Sequence, residues 1–189
     1  MGAIGVCEVF MITEIFTNLL LYAIWCAAGY TIMNYLYIGG ELELLPNVKY
    51  RWLYYLIQFT WGLTINIFGC VVALVLLCYG KKPYRYGWNY CFELDVNFGL
   101  ELGIFFIAPI NGSEHIKKHE HGHAIQNLYF GPFCIGIVSI PSAVRYWIRE
   151  IQQMLKKPPT SDYDDIWFEG QATYSGSNFM ALLNEKERK

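Results

Sequence analysis

Residues 119 to 123 read His-Glu-His-Gly-His, a spacing with a definite chemistry. On a helix, His119 and His123 stand four positions apart, so both imidazoles leave one face and can hold a single Zn²⁺. Glu120, one residue on from the first, then stands beside the ion as a proton acceptor. His115 also falls on the four-residue step, but it lies eight residues before His123. That is about 12 Å along a straight helix, whereas a Zn–N bond is only about 2.1 Å, so one ion cannot take all three. His119 and His123 are the preferred pair because only that pair has a Glu directly after its first member. His115 and His121 are read as solvent-facing or supporting groups.

A catalytic zinc needs a third protein ligand and an open position for water. His119 to Gln126 (H-E-x-G-H-x-x-Q), then Gly131-Pro132, Pro141-Ser142 and Trp167 to Ala172 (W-F-E-G-Q-A) supply further landmarks. Together they resemble a group of small bacterial membrane proteins bearing zinc-peptidase motifs, over about the C-terminal half of the chain. The E-G-x-A portion resembles the third-ligand helix of the gluzincin metallopeptidases. In its organisation the chain also looks distantly like the membrane-bound HtpX and CAAX prenyl proteases, which are far longer. The resemblance implies Glu169 as the third zinc ligand, with Asp165 in reserve, and Glu120 as the general base of peptide-bond hydrolysis. It also implies a bacterial cell-membrane setting. An acidic helix start, with Asp162, Asp164 and Asp165 ahead of Glu169, is the plainer reading of the same residues. Gln126 is expected to support a ligand or face substrate. Tyr129, Tyr174 and Arg145 are candidates for stabilising the oxyanion.

The elements that must position these groups are partly legible. A helix is expected from Glu114 to about Leu128, capped from Asn111-Gly112-Ser113 and ended by Gly131-Pro132. Ahead of it, apolar Phe92, Leu94, Val96, Phe98, Leu100, Leu102 and Ile104 alternate with polar or small residues. Period two predicts a half-buried strand, or a hairpin turned at Asn97-Phe98-Gly99. A strand beside the His helix would let an extended peptide bind along its edge through backbone hydrogen bonds.

The rest of the composition points to a membrane. The 189 residues are 54% hydrophobic and only 16% charged, against roughly 25% in ordinary globular chains. Residues 15–40 and 52–80 contain no Asp, Glu, Lys or Arg, and each run exceeds the roughly 20 residues that cross a bilayer core. Aromatic residues at their ends suit the interfacial belt. The expected architecture is therefore a mainly α, polytopic membrane protein: an antiparallel transmembrane hairpin over residues 1–80, and a zincin-like catalytic region over 81–189 with a short strand or hairpin and the His helix. A third charge-free run, 124–144, is broken by Gly131, Pro132, Gly136 and Pro141, and reads equally as a span, a re-entrant segment or an interfacial helix. If it does not cross, 12 of the 14 Lys and Arg follow residue 80, placing the catalytic side in the cytoplasm.

Six cysteines form no C-x-x-C pair, so neither a disulfide framework nor a thiolate zinc site is expected. A net charge of −2 without a basic arm argues against nucleic acid as partner. The expected partners are a lipid bilayer and a peptide or membrane-protein substrate, with Zn²⁺ as cofactor. The rival functions are a catalytically silent membrane scaffold or sensor stapled by structural zinc, and a zinc hydrolase of a non-peptide amide or ester. Glu120 separates the first rival, because a structural site has no use for a carboxylate that is not a ligand.

Overall fold

A computed structural model describes residues 3–38, 44–159 and 161–188. Residues 39–43, which hold the end of the first apolar run and the start of the link after it, lie outside the described residues. The chain is mainly helical with one small mixed sheet. Helix α1 (Ala3–Ile38) carries no charged residue after Glu14, and its Met11–Tyr37 stretch is long and apolar enough to cross a membrane.

The second apolar run departs from the expected single helix. It folds as α2 (Arg51–Gln58) and α3 (Leu63–Cys78), set at 90° to each other. The corner is held by buried amides that satisfy the carbonyls released where the helix breaks. Asn66 Nδ2 donates to Gln58 O at 2.9 Å, to Gln58 Oε1 at 2.8 Å and to Gly62 O at 2.9 Å. Asn127 Nδ2 reaches Gln58 Oε1 at 2.8 Å and Gly62 O at 3.2 Å, and Gln58 Nε2 donates to Ala124 O at 2.7 Å. The corner is thus locked to the His helix, and contacts cross residue 80 at several points. Tyr54 shares a core with Trp88, Phe106, Ile125 and Phe179.

The sheet has strand order β1-β2-β4-β3, built from β1 (Tyr84–Tyr86), β2 (Asn89–Leu94), β3 (Leu100–Leu102) and β4 (Phe105–Pro109). β2 and β4 run parallel, whereas the outer pairs are antiparallel. The alternating stretch is therefore neither one strand nor a hairpin turned at Asn97-Phe98-Gly99. The tight turn falls at Gly103-Ile104, where Gly103 adopts φ +76° and Leu102 pairs with Phe105. Asn66 dictates this position: its Oδ1 accepts the Ile104 N–H at 2.8 Å and leaves no room for a Cβ at residue 103. Residues 95–99 instead carry the chain across to the sheet edge, where β3 lies.

Helix α4 (Glu114–Phe130) starts as expected, with Ser113 Oγ accepting the Ile116 N–H, and ends at Gly131 with φ +53°. After a 3₁₀ turn (Gly131–Phe133) and a wide π-type turn (Ile135–Ser139), the chain leaves in α5 (Ile140–Met154), and the two helical segments are bent by 118°. The run 124–144 accordingly makes a sharp corner. That corner packs on α1: Tyr22 donates to Pro132 O at 2.9 Å and stacks on Phe133, and Cys26 lies against Gly136. A 3₁₀ turn (Tyr163–Asp165) then leads into α6 (Trp167–Glu187), whose start meets α1 again through Tyr30 against Trp167 and Phe168.

Replacing Asn66 with Leu would strand the Gln58 carbonyl and the Ile104 N–H together, and leave Gly62 O with Asn127 Nδ2 as its remaining side-chain donor. Each buried unpaired group costs about 1–3 kcal/mol, so Asn66→Leu should destabilise the fold by about 2 kcal/mol or more, read as a lowered thermal midpoint in detergent. An unchanged midpoint would show that the corner does not depend on this amide.

Candidate metal centre

The site is made by laying α6 on α4. Neither helix can carry a side chain at the crossing: a Cβ on Gly122 would run into Ala172 O, and one on Gly176 into Lys118 O. Gly122 is therefore a close-packing position. This approach brings Glu169, in the first turn of α6, over the two imidazoles on α4. All three groups are buried.

His119, His123 and Glu169 converge as a group that can hold a metal ion. His119 Nε2 lies 3.1 Å from His123 Nε2, and Glu169 Oε2 lies 3.0 Å and 3.3 Å from the two nitrogens. Donors around a tetrahedral ion with bonds of about 2.1 Å stand about 3.4 Å apart, so the three atoms already have nearly that spacing. The proton positions fit as well. His119 Nδ1 donates to Thr173 Oγ1 at 2.8 Å, since the Thr173 hydroxyl spends its own proton on Asp164 Oδ1 at 3.1 Å. His123 Nδ1 donates to Gln126 Oε1 at 2.7 Å, and Gln126 Nε2 is fixed in turn by Phe168 O and Gln171 Oε1, both at 2.6 Å. Both Nε2 lone pairs consequently point at each other and at a carboxylate, an arrangement that a metal cation satisfies.

Glu169 is further oriented by Ser142, whose Oγ donates to Oε1 at 2.7 Å. Burial pushes the Glu169 carboxyl up, but hydrogen bonds and charge from His119 and His123 outweigh it and hold the group well below the usual carboxylate range. The Glu120 carboxyl is raised by burial, against the pull of the same imidazoles. It rests on the backbone at Gly99, where any Cβ would collide with its Oε1, and it accepts the backbone N–H of Glu101. Glu120 and His119 together line a cleft of two adjoining cavities, about 340 Å³ and about 590 Å³. Burial also lifts Glu101, at the cleft wall, to about 8.

Several sequence expectations are redrawn by the geometry. His121 does not face solvent: it points away from the site into the core, stacked on Phe179 with ring centres 5.0 Å apart, and neither ring nitrogen has a hydrogen-bond partner. Burial lowers its pKa to about 4, keeping it neutral. His115 stays exposed at the cleft rim. Asp165 is not drawn into the ligand group, because its carboxylate accepts the Asp162 N–H at 2.9 Å to cap the turn before α6. Arg145 is occupied with Ser161 Oγ and the carbonyls of Asp162 and Tyr163, and Tyr129 and Tyr174 are not among the cleft residues. Tyr163 stands in the cleft instead, its ring 5.7 Å from that of His119. Thr173 and Tyr163 carried no motif, and Ser142 stood in the Pro141-Ser142 landmark without a role, although Thr173 follows Glu169 by four residues and so had to share its face of α6. The chain matches no family model, no curated protein and no solved structure.

Glu169→Ala should abolish metal retention after dialysis, because two imidazoles alone remain. Thr173→Val should weaken metal affinity by about 10–100-fold by freeing the His119 ring, as measured by competition with a chelating dye. Full metal occupancy in Glu169→Ala would sink its assignment as a ligand.

Proposed function

We propose that this chain is an integral-membrane zinc metallopeptidase, with His119, His123 and Glu169 as zinc ligands and Glu120 as general base. The observation that carries the reading is the tight His-His-Glu group opening onto a cleft that Glu120 also lines. Zinc suits two imidazoles and one carboxylate at tetrahedral spacing better than the oxygen-seeking cations do. Bound there, Zn²⁺ would supply Lewis acidity and lower the pKa of water from about 15.7 toward about 7.

The chain's own groups supply the rest. Glu120 takes the proton of the attacking water as oxygen bonds to the scissile carbonyl carbon. When the C–N bond breaks, the same carboxyl returns that proton to the leaving amine. Its burial-raised pKa favours this exchange, since a carboxylate closer to neutrality both accepts and releases a proton more readily. Tyr163 is kept neutral by burial, and its hydroxyl, beside Ser142 and Glu169, is placed to donate to the developing oxyanion. β3 is an edge strand, and Leu100 and Glu101 both line the cleft, so an extended peptide can lie along it next to the metal group. If the bent segment 124–144 does not cross, the excess of basic residues after residue 80 supports a cytoplasmic orientation.

Glu120→Gln should retain bound zinc yet lower turnover of a cleaved peptide by at least about 100-fold. Cleavage at the wild-type rate by the zinc-loaded variant would sink the mechanism, and would favour a metal that only staples α4 to α6.

A further inference from the structure

The cleft has two unlike halves on either side of His119 and Glu120. One half is apolar, walled by Leu100 on β3, Val138 in the π-type turn, and Ala143, Tyr146 and Trp147 on α5. The other is polar, walled by His115, Asp162, Asp164 and Asp165. Helix α1 gives these halves a depth. A 27-residue stretch from Met11 to Tyr37 is about 40 Å long, against a hydrocarbon core of about 30 Å, so the Tyr37 end of a span reaches the interface. The Tyr37 hydroxyl donates to Asp164 O at 3.4 Å, which puts the polar half at that end. Ile137, next to Val138, packs on Gly29, roughly 12 Å deeper along α1. The apolar half therefore lies toward the membrane interior.

The wall of that half facing outward is a single helix. α5 buries none of its residues, and Val144, Ile148 and Ile151 stand exposed beside Trp147, which is 64% exposed and still lines the cleft. An exposed apolar stripe of this kind, like the exposed apolar surface of α1, is suited to lipid acyl chains.

Resting on the metallopeptidase reading, we propose that the substrate is a membrane-anchored polypeptide cut where its anchor meets its water-exposed part. A large apolar side chain at that junction seats between α5 and β3, and the polar continuation leaves past Asp162 and Asp165. The chain enters from the lipid side, across α5.

The test uses the full-length zinc-loaded protein in phosphatidylcholine vesicles with three peptides sharing one apolar anchor, so that all have the same surface concentration. The first carries Phe at the junction, the second Asp there, and the third has its Phe moved ten residues into the polar part. Mass spectrometry should show cleavage of the first beside the junction Phe, at least tenfold faster than either of the others. In addition, Ala143→Trp, which fills the apolar half, should lower the ratio of Phe-junction to Asp-junction cleavage at least tenfold. Equal rates for the three peptides, or cleavage that follows the displaced Phe, would overturn this inference while leaving the peptidase reading standing. Cleavage of none of them by zinc-loaded protein would overturn both.

Discussion

Close approach of α4 and α6 is the constraint on which the centre depends. Two glycines, Gly122 on one helix and Gly176 on the other, let backbone meet backbone where any side chain would collide. That separation decides whether Glu169 can lie within about 3 Å of both imidazoles, because carboxylate reach is short and helix positions are fixed by the crossing. Everything around the crossing then acts as orientation. Thr173 and Gln126 select the ring tautomers, Ser142 turns the carboxylate, and Gln171 holds Gln126.

The number of polar side chains inside this helical body follows from the same arrangement. Gln58, Asn66, Asn89, Asn127, Gln126 and Gln171 are all fully buried, at a cost that only hydrogen bonding offsets. They divide into two networks with different tasks. One closes the α2–α3 corner and the Gly103-Ile104 turn against α4; the other supports the ligands. α4 belongs to both, through Asn127 and Gln126, so the helix carrying the histidines is tied on one side to the α2–α3 corner and on the other to α6.

What the sequence made legible was local and periodic. His119, Glu120 and His123 on one helix, its cap at Ser113 and its end at Gly131 all follow from spacing and turn chemistry. Charge exclusion marked α1. The failures were tertiary. Apolar content alone gave residues 52–80 as one helix, yet Gln58 and Asn66 are eight apart and become partners only when the chain turns between them. Alternation from 92 to 104 was real, but where it turns was set by Asn66 from a distant helix. Sequence alone reads His121 as solvent-facing or supporting, whereas its two-residue offset from both His119 and His123 puts it on the other side of α4, in the core beside Phe179.

Gly99 ties the sheet to the carboxylate at the head of the cleft. Glu120 is held there by main-chain atoms: the Gly99 backbone beneath it and the Glu101 N–H beside it. Residues 97–99 are the crossing from β2 to the edge strand, and the edge strand is where an extended chain would add. Occupancy of the sheet edge and placement of the carboxylate are thereby one mechanical variable. On the proposed peptidase reading, a guest strand that steadied β3 would also steady Glu120, and with it the carboxylate's part in proton transfer.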